Sequence, residues 1–136
     1  MPPVVWATLA RLWRLQRALR EETEPELAKL GLGGFSPWLL RVVQRHPYPM
    51  EAARAMGLPA PTVSQMLRRL EAQGFLRRSL DPKDLRRYRL ELTPEGEKAL
   101  AKAEALLEAA LARRLARLTP EEQALLVELL SRLEEP

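Results

Sequence analysis

Short hydrogen-bonding side chains and cations lie close together between positions 60 and 73 of the chain. Thr62, Ser64 and Gln65 carry hydroxyl and amide groups, and Arg68 and Arg69 follow about one helical turn later. In the major groove of DNA, hydroxyl and amide groups bond to base edges, and arginine binds guanine or phosphate. The segment therefore predicts a helix that contacts DNA, with a solvent-exposed helix face as the alternative interpretation of the two arginines.

The same segment also has the apolar residues that would hold such a helix against a core. They recur at i, i+3, i+4 and i+7, the spacing of one buried helical face: Val63, Met66, Leu67 and Leu70. Pro49 starts a short preceding helix, and Gly57 provides the turn between the two helices. In that short helix three residues are expected to face inward: Met50, Ala53 and Met56. A helix, a tight turn and a second helix together predict a helix-turn-helix.

A two-stranded hairpin is predicted directly after the second helix. Positions 75–80 predict the first strand, and positions 81–84 predict a turn with Asp81 first and Pro82 second. Positions 88–92 alternate, so Tyr88, Leu90 and Leu92 are expected to face inward. An isolated two-stranded hairpin is marginal in water and must pack against the helices, so it is expected to form a wing.

Long helices are predicted at both ends of the chain. The first runs from about Val4 to Leu30 and is stopped by glycines at positions 31, 33 and 34. Two more begin at Thr93-Pro94 and Thr119-Pro120. Their apolar stripes exceed what one small domain can cover, so an interface between two copies is expected, with an ordinary core role as the alternative for the first helix. The residues assigned to this interface are Val5, Leu9, Leu12, Leu111, Leu115, Leu126, Leu129, Leu130 and Leu133.

Composition and charge favour a nucleic-acid-binding protein over an enzyme. Between positions 60 and 92 there are eight cations and four anions, and this surplus equals the net charge of +4 of the 136-residue chain. With no cysteine and one histidine, His46, the sequence shows no nucleophile–base pair or metal cluster. No catalytic residue, metal site or cofactor is therefore expected. Nothing resembles a signal peptide or a membrane span, so a cytoplasmic protein without a membrane partner is expected.

These residues resemble the MarR family of bacterial regulators over nearly the whole chain. One part of the resemblance is the segment 57–76, GLPAPTVSQMLRRLEAQGFL, which is similar to the family's recognition helix and first wing strand. The other is the segment 81–96, DPKDLRRYRLELTPEG, which is similar to the family's wing signature, an Asp-x-Arg followed by an alternating strand and Leu-Thr-x-x-Gly. Many winged-helix regulators share the first pattern, whereas the second, placed before a long terminal helix, is specific.

The resemblance implies a homodimer formed through the first and last helices, with two winged heads on a pseudo-palindromic operator. It implies that Arg86 at the wing tip enters the minor groove and that Asp84 braces the wing. It also implies a small aromatic or phenolic effector between the dimerisation helices and the winged unit. Pro59 and Ala60 stand where the family usually has polar residues, so base contacts there are expected to be altered or fewer. The absence of cysteine excludes the chemistry of the peroxide-sensing subgroup.

The predicted fold is mainly α with a small β-hairpin wing, a winged helix-turn-helix with N- and C-terminal dimerisation helices. Within one structural domain, positions 1–34 form the N-terminal dimerisation helix, 35–92 the DNA-binding region and 93–136 the C-terminal dimerisation helices. Contacts to bases are assigned to Ala60, Pro61, Thr62, Ser64 and Gln65, and contacts to the DNA backbone to Arg68, Arg69, Lys83 and Arg87. An effector pocket is assigned to Trp13, Arg17, Trp38 and Arg41. Tryptophans at helical spacing are, however, more often core or interface residues.

The sequence thus predicts a homodimeric, sequence-specific regulator of transcription that binds double-stranded DNA, a repressor in preference to an activator. A small aromatic or phenolic ligand is expected to release it. The alternative is a winged-helix protein-interaction module without sequence-specific DNA binding, which would have the same fold but would not need a cationic wing.

Overall fold

The computed structural model describes residues 3–136, which form six α-helices and one two-stranded antiparallel sheet. The helices are α1 (Pro3–Lys29), α2 (Ser36–Arg45), α3 (Pro49–Met56), α4 (Ala60–Ala72), α5 (Pro94–Leu115) and α6 (Pro120–Glu134). The strands β1 (Leu76–Asp81) and β2 (Asp84–Leu92) lie between α4 and α5 in the chain. The predicted fold class, mainly α with a β-hairpin wing, is confirmed. Positions 1 and 2 of the predicted N-terminal segment 1–34 lie outside the described residues.

The described residues divide into two compact units. Residues 24–106 make up the first unit, which holds α2, α3, α4 and the hairpin, together with the end of α1 and the first part of α5. Residues 3–23 and 107–136 make up the second unit, which holds most of α1, the end of α5 and all of α6. No helix within residues 3–136 is both long enough and apolar enough to cross a membrane.

The helix-turn-helix of the first unit rests on the apolar side of α4. Val63, Leu67 and Leu70 are buried, as their spacing predicts, and Met66 is partly buried against the same core. Gly57 ends α3 at a φ of 67°, in the left-handed region that glycine adopts without strain. The turn therefore requires glycine at position 57. The buried stripe determines which side of α4 faces the core.

Helix α3 packs through a different set of residues from the predicted one. Ala52, Ala53 and Met56 are buried, whereas Met50 is 68 % exposed. The prediction for Met50 is wrong. In this eight-residue helix the apolar residues lie on more than one side, so the sequence alone does not define the buried side. In the structure, the side that carries Ala52 and Ala53 packs against the core.

The apolar residues at the base of the hairpin are buried, and most residues toward its turn are exposed, with Asp81 as the exception. Leu76 pairs with Leu92 at the base, and Leu80 pairs with Tyr88 near the turn. Leu76 is buried, whereas Tyr88 is 49 % exposed. The prediction that Tyr88 faces inward is wrong: near the turn, Asp81 and Arg87 make the contacts to Tyr48 and Glu51, and about half of Tyr88 stays in solvent. The hairpin therefore has the form of a wing.

Close backbone contacts at the base of the wing explain the Leu-Thr-x-x-Gly pattern. The N–H of Thr93 donates to the carbonyl of Phe75 at 3.0 Å, and the Thr93 hydroxyl donates to the carbonyl of Gly74 at 2.5 Å. The N–H of Gly96 donates in turn to the Thr93 hydroxyl oxygen at 3.0 Å. A Cβ atom at position 96 would lie 2.0 Å from the carbonyl oxygen of Phe75, so the close approach of the residue before β1 to α5 requires glycine.

The second unit exposes much of its apolar surface. Helix α6 begins with a complete capping box between Thr119 and Glu122, as the sequence predicts. Glu22 on α1 pairs with Arg113 and with Arg114 on α5. No residue of α6 is buried, although the helix carries a leucine stripe.

Candidate nucleic-acid interface

The side of α4 opposite its buried stripe presents the residues that the sequence assigns to base contacts. The exposed residues are Ala60, Pro61, Thr62 and Gln65. Ser64 is half-buried. They occupy the first two turns of the helix, because Pro59 is the cap residue and Ala60 begins the helix. In a helix-turn-helix, this N-terminal part of the second helix is the part that meets base edges.

The two arginines of α4 have no acidic partner within the described part of the chain. Arg68 and Arg69 are both exposed, and neither forms an ion pair with any of the residues 3–136. Lys83 in the wing turn is likewise exposed and free of an ion pair within the described part of the chain. These cations are therefore available to phosphate groups without first breaking an intramolecular contact.

The wing tip holds one arginine almost fully in solvent. The Arg86 side chain is 91 % exposed. Asp84 accepts the backbone N–H of Arg86 at 3.0 Å and its Nε at 3.2 Å, which closes a small ring at the start of β2. These hydrogen bonds lower the pKa of Asp84, the bond from the Arg86 side chain contributing most. The arrangement fixes the base of the Arg86 side chain and leaves its terminal nitrogens exposed.

A buried carboxylate supports the turn of the wing. Asp81 is 4 % exposed and accepts the hydroxyl of Tyr48 at 2.7 Å and the backbone N–H of Lys83 at 2.9 Å. The Lys83 N–H and then the Tyr48 hydroxyl lower the pKa of Asp81. The pKa of Tyr48 is raised in return, chiefly because its hydroxyl donates to the Asp81 carboxylate. Sequence analysis identified Asp81 only as a turn residue, and its distance of 33 positions from Tyr48 left no local pattern to find.

Arg87 differs from the other cations assigned to the DNA backbone. Its guanidinium carbon lies 3.7 Å from the centroid of the Tyr48 ring, and one terminal nitrogen lies 3.1 Å from Oε1 of Glu51. Arg78 on β1 is held in a similar way, 2.7 Å from Glu71 and 5.5 Å from the ring centroid of Tyr88. Arg78 and Arg87 are thus already paired, whereas Arg68, Arg69 and Lys83 form no ion pair with any residue from 3 to 136.

The four residues assigned to an effector pocket line two separate cavities. Trp13 and Arg17 border one of about 240 Å³ in the second unit, where Arg17 donates to Glu21 at 2.9 Å. Trp38 and Arg41 border another of about 500 Å³ in the first unit. There Arg41 donates to Glu104 at 2.7 Å. Each arginine offered as a partner for a ligand carboxylate is therefore already paired with a glutamate.

The fold and this surface define a winged helix-turn-helix protein of the kind that binds DNA. The model of the MarR family matches residues 31–87. Transcriptional regulator HosA of Escherichia coli O111:H- is 34 % identical over 120 residues, which cover 88 % of this chain and 83 % of that protein. The chain belongs to the MarR family of transcriptional regulators.

Solved structures of related proteins have the same architecture. The transcriptional repressor CouR, bound to a 23-mer DNA duplex, is 26 % identical with a TM-score of 0.80 over 92 % of this chain and 90 % of its own. The organohalide-sensing regulator RdhR, in its 2,4-dichlorophenol-bound form, is 18 % identical with a TM-score of 0.83. The match covers 98 % of this chain and 80 % of the RdhR chain. The predicted family and the predicted regulator of transcription are confirmed.

The lowered pKa of Asp81 predicts an acid-sensitive wing. Because the folded-state pKa lies below the ordinary value of about 3.9, the carboxylate contributes stability above that value, and the contribution is lost as the pH falls through the folded pKa. In an NMR titration, the Lys83 amide signal should shift with a midpoint below about pH 3.9. In Tyr48→Phe, which removes one of the two donors, the midpoint should rise toward the ordinary value. An unchanged midpoint would show that the hydroxyl does not stabilise the carboxylate.

Proposed function

We propose that the protein is a homodimeric repressor that binds a pseudo-palindromic operator through two winged heads and leaves it when a small aromatic or phenolic molecule binds. The observation that carries the DNA-binding part is a polar and cationic side of α4 whose arginines have no acidic partner among residues 3–136. This side lies in the same compact unit as the exposed Arg86. A repressor of this kind acts in the cytoplasm, where the bacterial chromosome lies.

The start of α4 is the proposed base-reading element. Thr62, Ser64 and Gln65 provide donors and acceptors for base edges in the major groove. Ala60 and Pro61 have no side-chain hydrogen-bonding group, so their contribution is apolar contact, for which a thymine methyl group is the natural partner. At Ala60, which stands where the family usually has a polar residue, the expected contact is therefore apolar.

Cations around α4 and the wing are the proposed contacts to the DNA backbone. Arg68, Arg69 and Lys83 are exposed and unpaired within residues 3–136, so each can bind a phosphate and release a counterion. Arg86 is the proposed minor-groove contact, since narrow A·T-rich grooves concentrate negative potential and attract an inserted arginine. Asp84 holds that arginine at its base.

Exposed leucines of the second unit support the proposed dimer. Leu9 and Leu12 on α1, Leu111 on α5 and Leu129 and Leu130 on α6 are all exposed. The remaining assigned residues are half-buried or lie at the end of α6: Val5, Leu115, Leu126 and Leu133. Apolar surface of this extent marks an interaction site. A second copy of the chain, joined through the same helices, would cover it.

The proposed effector is a small aromatic or phenolic acid. RdhR, which has the same fold, is known in a form with 2,4-dichlorophenol bound. In this chain the cavity of Trp38 and Arg41 offers an aromatic wall and a cation, with Glu104 as the partner that a ligand carboxylate would replace. The ring of Phe35 lies edge-on to that of Trp38, with the ring centroids 6.4 Å apart. Trp13 and Arg17 offer a similar pair in the second unit.

Arg86→Ala tests the minor-groove contact. On duplexes enriched by the wild-type protein from a random pool, the variant should lose about 1–3 kcal/mol of binding free energy and its preference for A·T-rich flanks. Arg77→Ala is the matched control, because Arg77 is an exposed wing arginine already paired with Glu91. Fluorescence anisotropy at fixed salt measures both. Wild-type binding that is absent or insensitive to salt would favour a protein-interaction module instead.

Leu129→Glu tests the dimer. A charge placed in the leucine stripe should convert the protein to a monomer, because an unpaired carboxylate cannot be buried between two copies without a large desolvation cost. Sedimentation equilibrium gives the mass. Ser131→Glu puts the same charge on another side of α6 and should leave the dimer intact. A wild-type protein that sediments as a monomer at all concentrations would refute the dimer.

Benzoate is the first probe for the effector. Calorimetry should show binding heat, and benzoate should displace enriched DNA in a concentration-dependent way. Arg41→Gln, which removes the proposed carboxylate partner, should weaken both effects while DNA binding without benzoate is kept. If the wild type gives neither heat nor displacement, benzoate-like acids are not its ligands.

A further inference from the structure

Four side chains join the wing to the beginning of α3, and we call them the wing clasp: Tyr48, Glu51, Asp81 and Arg87. Tyr48 is the cap residue that precedes α3, and Glu51 lies in the first turn of that helix. Asp81 ends β1, and Arg87 lies on β2. The clasp therefore connects both strands of the hairpin, near its turn, to one helix end.

Tyr48 is the centre of the clasp and is held in two directions. Its hydroxyl donates to Oδ2 of Asp81 at 2.7 Å, and the guanidinium of Arg87 lies over its ring at 3.7 Å from the centroid. Arg87 is fixed in turn by Glu51, with its terminal nitrogen 3.1 Å from Oε1. A planar guanidinium can stack on a ring and donate at its edge simultaneously, which a lysine ammonium cannot do in the same geometry.

The clasp acts on the part of the wing that carries Arg86. Asp81 accepts the N–H of Lys83, so the carboxylate that binds Tyr48 also shapes the turn. A backbone hydrogen bond of 2.7 Å from Leu90 to the carbonyl of Pro47 anchors β2 farther from the turn. With only that anchor and the base of the hairpin held, the turn end would be free to bend, since an isolated two-stranded ribbon is marginally stable.

We propose that the wing clasp positions Arg86 on the DNA, and that Arg87 is a positioning residue of the wing, in place of the phosphate contact expected from the sequence. This inference rests on the proposed DNA-binding function. Arg87 already stacks on Tyr48 and pairs with Glu51, and the Glu51 carboxylate beside it would repel a phosphate. Arg68 and Arg69, which form no ion pair in the part of the chain that the structure describes, have no such carboxylate beside them.

Glu51→Gln distinguishes a phosphate contact by Arg87 from a positioning role of Arg87, because the two roles predict opposite changes in DNA affinity. If Arg87 were a phosphate contact, loss of the neighbouring negative charge would free it and strengthen DNA binding. In the clasp, the same change loosens Arg87 and so the wing, and affinity for enriched duplexes falls by roughly three- to tenfold. Tyr48→Phe, which changes no charge, lowers the affinity by a similar factor.

Glu91→Gln is the matched control. Glu91 pairs with Arg77 across the hairpin, and its side chain is 41 % exposed, compared with 42 % for Glu51. The substitution removes the same charge but leaves the wing clasp intact. Its affinity should therefore equal or exceed that of the wild type, as expected for removal of an anion near DNA.

The Arg86→Ala background shows whether the clasp acts through Arg86. There, Glu51→Gln and Tyr48→Phe should cause no further loss of affinity, whereas additive losses would overturn the proposal. Tighter or unchanged binding by Glu51→Gln in the wild-type background would overturn it as well, while leaving DNA binding in place. If the wild-type protein enriches no duplex from the pool, the proposed function fails, and the clasp has no DNA-positioning role.

Discussion

Burial of the apolar stripe of α4 determines which residues the protein can present to DNA. Val63, Leu67 and Leu70 lie in the core, and burial of each such side chain is worth about 1.5–3 kcal/mol. A rotation of α4 by one residue would expose part of this stripe and bury Gln65 or Arg68 without partners, which costs several kcal/mol for a charge. The polar side of the helix is therefore set by the core and does not depend on any contact made by its own polar groups.

Ion pairing divides the cations of the first unit into two classes. Arg77, Arg78 and Arg87 each have a glutamate within 3.1 Å, and these pairs connect the strands to each other or to a helix. Exposed pairs of this kind add little to stability, in general about 0–1 kcal/mol each, so their main consequence is geometric. Among the cations for which residues 3–136 offer no such partner are Arg68 and Arg69 on α4 and Lys83 in the wing turn. The paired arginines thus orient the wing, and the cations of α4 and the wing turn leave positive charge for DNA.

Periodicity in the sequence was sufficient to predict the helices and the hairpin, but it could not identify contacts between distant positions. The stripe of α4, the glycine turn at position 57 and the capping box at Thr119 are local patterns, and the structure contains all three. Met50 was predicted incorrectly because an eight-residue helix has too few turns to define its inward side. Tyr88 was predicted incorrectly because alternation shows which side of a strand a residue lies on, and not whether anything covers that side. The distant partners of Asp81 and Arg87, namely Tyr48 and Glu51, come from α3 or the residue before it, and no local rule connects these positions.

Helix α6 links the stability of the second unit to the proposed dimer. A 15-residue helix is marginal in water by itself, and a capping box contributes only about 1 kcal/mol, so most of its stability must come from packing. None of its residues is buried in the described chain, and its leucines are exposed or half-buried. In the proposed dimer, the second copy would bury the leucines of α6. The same burial would then stabilise both the folded helix and the association of the two chains. In the proposed dimer, separation of the two copies would return to water the surface that stabilises the helix.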